Sequence, residues 1–176
     1  MRSETKREPV IMTSEEVFHG IEGGRIDFSN IIVKEKIDFR YLKEMNLKKG
    51  AVLTGAIFEK VVYAFDVNFE GDVDFRKVTF EEEVFFKGAT FNRDTFFGGT
   101  AFKQGSDFQN VTFKGEASFY KVIFDDDTNI NFRGAVFNGD LDLVFEKPPE
   151  YIYCDKRNIQ QIHYAAPTLP LIMHRD

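Results

Sequence analysis

Phenylalanine recurs along the middle of this chain at alternating steps of six and five residues: Phe69, Phe75, Phe80, Phe86, Phe91, Phe97, Phe102, Phe108, Phe113, Phe119 and Phe124. Two positions before nearly every one stands a small or β-branched residue, among them Val67, Val73, Val78, Val84, Ala89, Thr95, Val111, Ala117 and Val122. Side chains on a strand alternate between faces, so a valine and a phenylalanine two positions apart point the same way. A helix needs apolar residues at spacings of three and four, which this stretch lacks. The repeat therefore predicts very short strands joined by tight turns that all bend in one direction.

Glycine marks many of the expected corners. Gly71, Gly88, Gly99, Gly115, Gly134 and Gly139 each follow an inward phenylalanine by two residues, and glycine accepts positive φ without a Cβ clash. A coil with four such sides uses two eleven-residue units. Phe58, Phe80, Phe102 and Phe124 then stack on one side, and Phe75, Phe97 and Phe119 on another. Successive coils lie about 4.8 Å apart, the spacing of hydrogen-bonded strands. One coil cannot bury its own rings, but stacked coils bury them continuously. Each buried ring contributes roughly 1.5–3 kcal/mol against the cost of ordering the chain.

The alternating halves, as in "VNFEGDVDFRKVTF" and "GEASFYKVIF", resemble pentapeptide-repeat proteins in the variant where every second repeat carries an extra residue. The resemblance spans about Ile26 to Leu143. It implies an all-β fold, a right-handed quadrilateral β-helix (solenoid), with the phenylalanine as the central inward residue and the residue two before it as its partner. Some members of that family resemble double-stranded DNA in shape and charge and bind type II topoisomerases.

The flanks read as end covers, giving a leader and capping helix over 1–25, the repeats over 26–146 and a C-terminal cap or interface segment over 147–176. Thr13 and Glu16 form a capping-box pattern ahead of Val17, Phe18 and Ile21, and Gly23-Gly24 stops the helix. A repeat stack needs such a cover for its first core layer and its strand edges. The repeat spacing falters over Arg40 to Asn46. Near Tyr63 the strict phase puts Ala64 inward and Phe65 outward. Asp125, Asp126 and Asp127 begin an insertion of two residues, expected as a small acidic loop at one corner. Pro148-Pro149 is expected to break the series, since proline cannot donate to a ladder. A short helix is expected over Asn158 to Ala165.

Composition narrows the function classes. Twenty-one phenylalanines without a tryptophan reflect repetition rather than a cofactor pocket. A single cysteine, Cys154, excludes an internal disulfide framework and fits a reducing compartment. With no secretory signal in the first residues and no run approaching ~20 apolar residues, the expectation is a cytoplasmic protein without a membrane span. His19, His163 and His174 lie in the end segments, away from any serine or cysteine pattern of a triad. No phosphate-binding glycine motif and no Cys/His metal spacing occurs. The expectation is a non-enzyme with no cofactor and no metal. An enzyme working through the C-terminal segment, with His163 or Cys154, is the weaker alternative.

The outside of the coil then carries the function. Residues 51–146 hold nine basic and seventeen acidic side chains, a balance of −8 within a chain of net charge −6. Asp72, Asp94, Glu116 and Asp140 fall at the same corner of successive coils. They read either as turn residues bonding to nearby backbone or as an anionic stripe offered to a basic surface. Tyr63 and Phe85 point outward on one side, and Phe96 and Tyr120 on another, an exposed aromatic cluster of the kind that marks contact surfaces. The residues expected to meet a partner are Asp72, Asp94, Glu116, Asp140, Tyr63, Phe85, Phe96, Asp125, Asp126 and Asp127. The expected function is a β-helical module that binds a macromolecule, a protein before any other. A DNA-mimicking decoy for an enzyme such as a type II topoisomerase is the alternative. Direct nucleic-acid binding is not expected, and pairing of two copies as a homodimer through a solenoid end is left open by the apolar tail.

Overall fold

The computed structural model describes residues 8–42 and 50–155, and the strand Leu171–Met173 by its backbone. The repeats form an all-β parallel solenoid of about six turns. The repeats are wound over four walls. One wall stacks Val10–Ile11, Ile31–Val33, Ile57–Phe58, Thr79–Phe80 and Ala101–Phe102 under the second half of Ala117–Phe124. A second stacks Ile37–Asp38, Val62–Tyr63, Val84–Phe85, Ser106–Asp107, Asn129–Phe132, Tyr151–Cys154 and Leu171–Met173. A third stacks Asn68–Phe69, Thr90–Phe91, Thr112–Phe113 and Val136–Phe137. The fourth runs from Ala51–Val52 through Val73–Asp74 and Thr95–Phe96 to the first half of Ala117–Phe124 and then Leu141–Lys147.

Inward residues follow the phase read from the repeat. Phe58, Phe80, Phe102 and Phe124 stack at centroid separations of 5.5, 5.4 and 5.2 Å. Phe75, Phe97 and Phe119 stack at 4.9 and 4.7 Å. Two further columns, Phe69-Phe91-Phe113-Phe137 and Phe86-Phe108-Phe132, complete the interior. Between columns most rings meet edge to face, as for Phe97 and Phe108 at 88° and Phe108 and Phe119 at 81°, and others are tilted, as for Phe97 and Phe102 at 39°. Offset stacks along the axis and edge contacts across it are the arrangements that aromatic quadrupoles favour. Ala64 is buried and Phe65 turns outward, as the strict phase requires.

The corners separate the glycines into two physical groups. Positive φ recurs every eleven residues, at Gly55, Asp66, Lys77, Gly88, Gly99, Asn110 and Lys121. Gly71, Gly115 and Gly139 lie at the other corners and have no positive φ, contrary to the conformational role expected for them. Two of those three are needed for space. A Cβ on Gly139 would sit 2.5 Å from the Gly115 carbonyl carbon, and one on Gly115 would sit 2.6 Å from the Arg93 carbonyl carbon. The coils there approach backbone to backbone.

The N-terminal cover is a helix, α1 (Ser14–Glu22), with the Thr13–Glu16 capping box formed in both directions. Val17 is fully buried, and Phe18 meets Phe39 edge-on at 6.2 Å. Glu35 of the first coil accepts both the backbone N–H and the hydroxyl of Ser14 at 2.7 Å, which ties α1 to the stack. At the other end, Pro148-Pro149 does not break the ladder. The prolines occupy a corner, and Tyr151–Cys154 resumes the second wall in register with Asn129–Phe132. Residues 158–165, read as a short helix, lie outside the described residues.

One inward position is mismatched to its column. Ser106 takes the place held by Val62 and Val84 before it and Ile130 after it. It is 2 % exposed and its hydroxyl has no hydrogen-bond partner. An unsatisfied buried hydroxyl costs about 1–3 kcal/mol. Ser106→Val should therefore raise the thermal midpoint, by about 1 kcal/mol or more in unfolding free energy. A lower midpoint in a differential scanning measurement would contradict the assignment.

Candidate functional site

Because rings fill the interior, chemistry and recognition fall to the outward residues. The acidic column exists as read. The N–H groups of Val73, Thr95 and Ala117 donate to the carbonyls of Asp94, Glu116 and Asp140 at 3.0, 2.8 and 2.8 Å, which stacks the four acids from Asp72 to Asp140 at one corner. All four are exposed. At one rung the turn role is realised: the Asp94 carboxylate accepts the Glu116 backbone N–H at 2.9 Å.

The outward aromatics are arranged differently from one another. Tyr63 and Phe85 stack on the second wall at 5.7 Å and 14°, and Phe65 joins them at 5.8 and 5.4 Å. All three rings are half-buried. Phe96 lies on the fourth wall between Asp74 and Ser118, and Tyr120 does not stack with it; Tyr120 pairs with Val144, two positions further along.

A recurring polar unit accompanies these rings. Asp38 and Asp74 each accept the backbone N–H two residues on, at 3.0 and 2.9 Å. Each carboxylate then grips the side chain of that residue, Arg40 or Arg76, through two nitrogens. The guanidinium swings over the outward ring of the next coil. Arg40 lies 5.6 Å from Tyr63 and 5.5 Å from Phe65, and Arg76 lies 5.8 Å from Phe96. Asn131 repeats the backbone bond, and Arg133 lies 4.5 Å over Tyr153. Bidentate carboxylate binding with one face on an aromatic ring suits a planar guanidinium. Asp38, Asp74, Arg40, Arg76 and Arg133 escape a reading that follows the repeat alone. Their signal is the tripeptide [Asp/Asn]-Phe-Arg with an outward aromatic one coil later.

Burial by itself would raise the Asp74 carboxyl, but the side-chain and backbone bonds from Arg76 outweigh it and hold the group below the ordinary value. The Asp38 carboxyl is likewise depressed, chiefly by the Arg40 side chain. A carboxyl whose folded value is lower than its unfolded one stabilises the fold above about pH 4 and loses that contribution as pH falls through the folded value. Asp74→Asn should therefore flatten the acid limb of the stability curve below about pH 4 relative to the parent chain. Parallel melts across that range check it, and an unchanged limb would show that the pair adds no pH-dependent stability.

Asp125, Asp126 and Asp127 form the corner loop expected from the insertion. Asp127 has φ 61°, and the Thr128 hydroxyl donates to the Asp125 carbonyl at 2.6 Å. Lys103 lies 3.4 Å from Asp125, and Lys147 lies 3.1 Å from Asp126. The loop overhangs a groove of about 500 Å³ that continues across the second wall to Phe85.

Nothing among the described residues builds a catalytic or metal constellation. His19 lies in the last turn of α1, and His163 and His174 lie outside the described residues. Cys154 is buried, and burial, with a smaller push from Asp155, raises its thiol, which opposes thiolate chemistry. No group of three or more His, Cys, Asp or Glu able to hold a metal occurs among the described residues. No described helix is long and apolar enough to cross a membrane.

A closed interior and a ladder of outward side chains define a β-solenoid whose accessible side chains lie on its outer walls. A family model for pentapeptide repeats (nine copies) matches residues 42–90, 64–110, 75–123 and 97–145, and the chain belongs to the pentapeptide-repeat family. Searches of curated proteins and of solved structures find no match. The family fold accords with an interaction module and is generally non-catalytic.

Proposed function

We propose that the chain is a non-enzymatic module that binds another protein through the second wall of its solenoid. The observation that carries this reading is the stack of Tyr63, Phe65 and Phe85, three rings on the outside of a wall that keep part of their surface in water. Half-buried outward rings on a rigid scaffold offer contact area at low entropic cost. Immobilised protein should capture from its native cell extract a partner that stays bound at high salt and is lost with Phe85→Ser. Capture that is indifferent to Phe85→Ser would sink the reading.

The acidic column supports a second one, a DNA-like decoy for a DNA-binding enzyme. Its four carboxylates are exposed and in register. Such binding should compete with duplex DNA and fall steeply with salt. Asp94→Asn with Glu116→Gln should weaken it, and unchanged affinity in that double variant would remove the decoy.

A further inference from the structure

The polar unit recurs on the second wall, beside the ring stack, with its arginine missing. Asp107 occupies the position on the second wall that Asp38 holds three coils earlier, and it accepts the Gln109 backbone N–H at 2.9 Å as Asp38 accepts that of Arg40. The orientation of its carboxylate is thus fixed by the backbone in the same way. The residue two positions on is Gln109 instead of arginine, so the carboxylate grips no guanidinium of its own. No cation among the described residues forms an ion pair with Asp107.

Its neighbour on the preceding coil is Phe85, in direct register. Tyr63 and Phe65 cover that ring from the N-terminal side. On the C-terminal side the next outward residue is the small Asp107 itself, then Asn131, so the ring stack ends there against the groove. At its other end the same stack is closed by Arg40, held by Asp38. The stack is therefore capped by a carboxylate-bound guanidinium at one end and by a carboxylate alone at the other.

The groove adds charge. Its lining holds four carboxylates, Glu83, Asp107, Asp126 and Asp127, of which Asp126 faces Lys147, and one ammonium, Lys103, which faces Asp125. We propose that this groove receives an arginine side chain of a protein partner. The guanidinium bonds to the Asp107 carboxylate and lies against the open face of Phe85. A planar cation matches both groups at once, whereas an ammonium matches the charge but neither the fork nor the stack. The inference rests on the protein-binding reading above and names the group that reading lacked.

The test uses the full chain, isotopically labelled, titrated with two synthetic peptides, acetyl-Gly-Arg-Gly-Arg-Gly-amide and its lysine counterpart. Amide shifts should move at residues 83–87, 104–109 and 126–131, and the arginine peptide should bind at least about tenfold more tightly, a difference of about 1.4 kcal/mol. Asp107→Asn should weaken it by a similar factor. Gln109→Arg provides a second arm. It supplies the guanidinium from within, as at Arg40 and Arg76, and should abolish peptide binding while raising the thermal midpoint. Shifts spread along Asp72, Asp94, Glu116 and Asp140, equal binding of the two peptides, binding untouched by Asp107→Asn or Gln109→Arg, or no binding at all would each overturn the assignment. If the peptides fail while partner capture still depends on Phe85, the arginine site falls and the protein-binding reading survives. Loss of both removes the module reading as well.

Discussion

Phe102→Ala should lower the free energy of unfolding by about 3–5 kcal/mol, the range for truncating a fully buried phenylalanine. The ring has no exposed surface, lies between Phe80 at 5.4 Å and Phe124 at 5.2 Å, and meets Phe108 edge-on at 6.3 Å. Removing it takes away transfer energy and leaves a gap that the walls cannot close. Each wall is fixed at the spacing of its backbone hydrogen bonds, which the rings above and below hold in place. Chemical denaturation of the variant against the parent chain measures the loss. A change below about 0.5 kcal/mol, the level of ordinary surface substitutions, would place this ring outside the core.

The second large effect concerns backbone rather than side chain. Gly139→Ala should cost about 3 kcal/mol, the upper end of the usual range for overpacking, because the new methyl group meets the Gly115 peptide. Those atoms belong to the neighbouring coil and cannot rotate away. Gly99→Ala supplies the contrast. There φ is +69°, but the nearest foreign atom is Lys77 Cγ at 3.6 Å. Its cost should be about 1–2 kcal/mol, that of a left-handed conformation alone. Equal losses at the two sites would show that conformation, not close approach, governs both.

These two predictions separate what a repeat reveals from what it hides. Which side chains point inward was legible because strand alternation is a covalent property, so Val73 and Phe75 had to share a side whatever surrounded them. The outward neighbours were legible as far as the count of residues per coil held. Tyr63 and Phe85 therefore read as neighbours up one wall, and the acids from Asp72 to Asp140 as one column. The same count predicts Phe96 and Tyr120 on one side, but the pairing of Phe96 with Ser118 leaves the two rings apart. The glycines looked alike in the sequence and are not: Gly88 adopts the left-handed region, whereas Gly139 yields space to a neighbouring peptide.

Other features depend on reach, which spacing does not contain. Nothing in the repeat says that Arg40 bends back to Asp38 and across Tyr63, or that Gln109 leaves Asp107 without that partner. The same limit applies at the C-terminal end. Two prolines argue for the end of a ladder, but they fall at a corner where no ladder donor is needed, so the wall resumes at Tyr151.

The sequence by itself determined the solenoid, its inward column of rings and the order of residues up each wall, since these follow from side-chain alternation and a fixed count per coil. Only the tertiary structure decided which outward groups satisfy one another. Guanidinium, carboxylate and ring meet through side-chain torsions and the stacking of separate coils, and these act across distances that the chain's own numbering does not record.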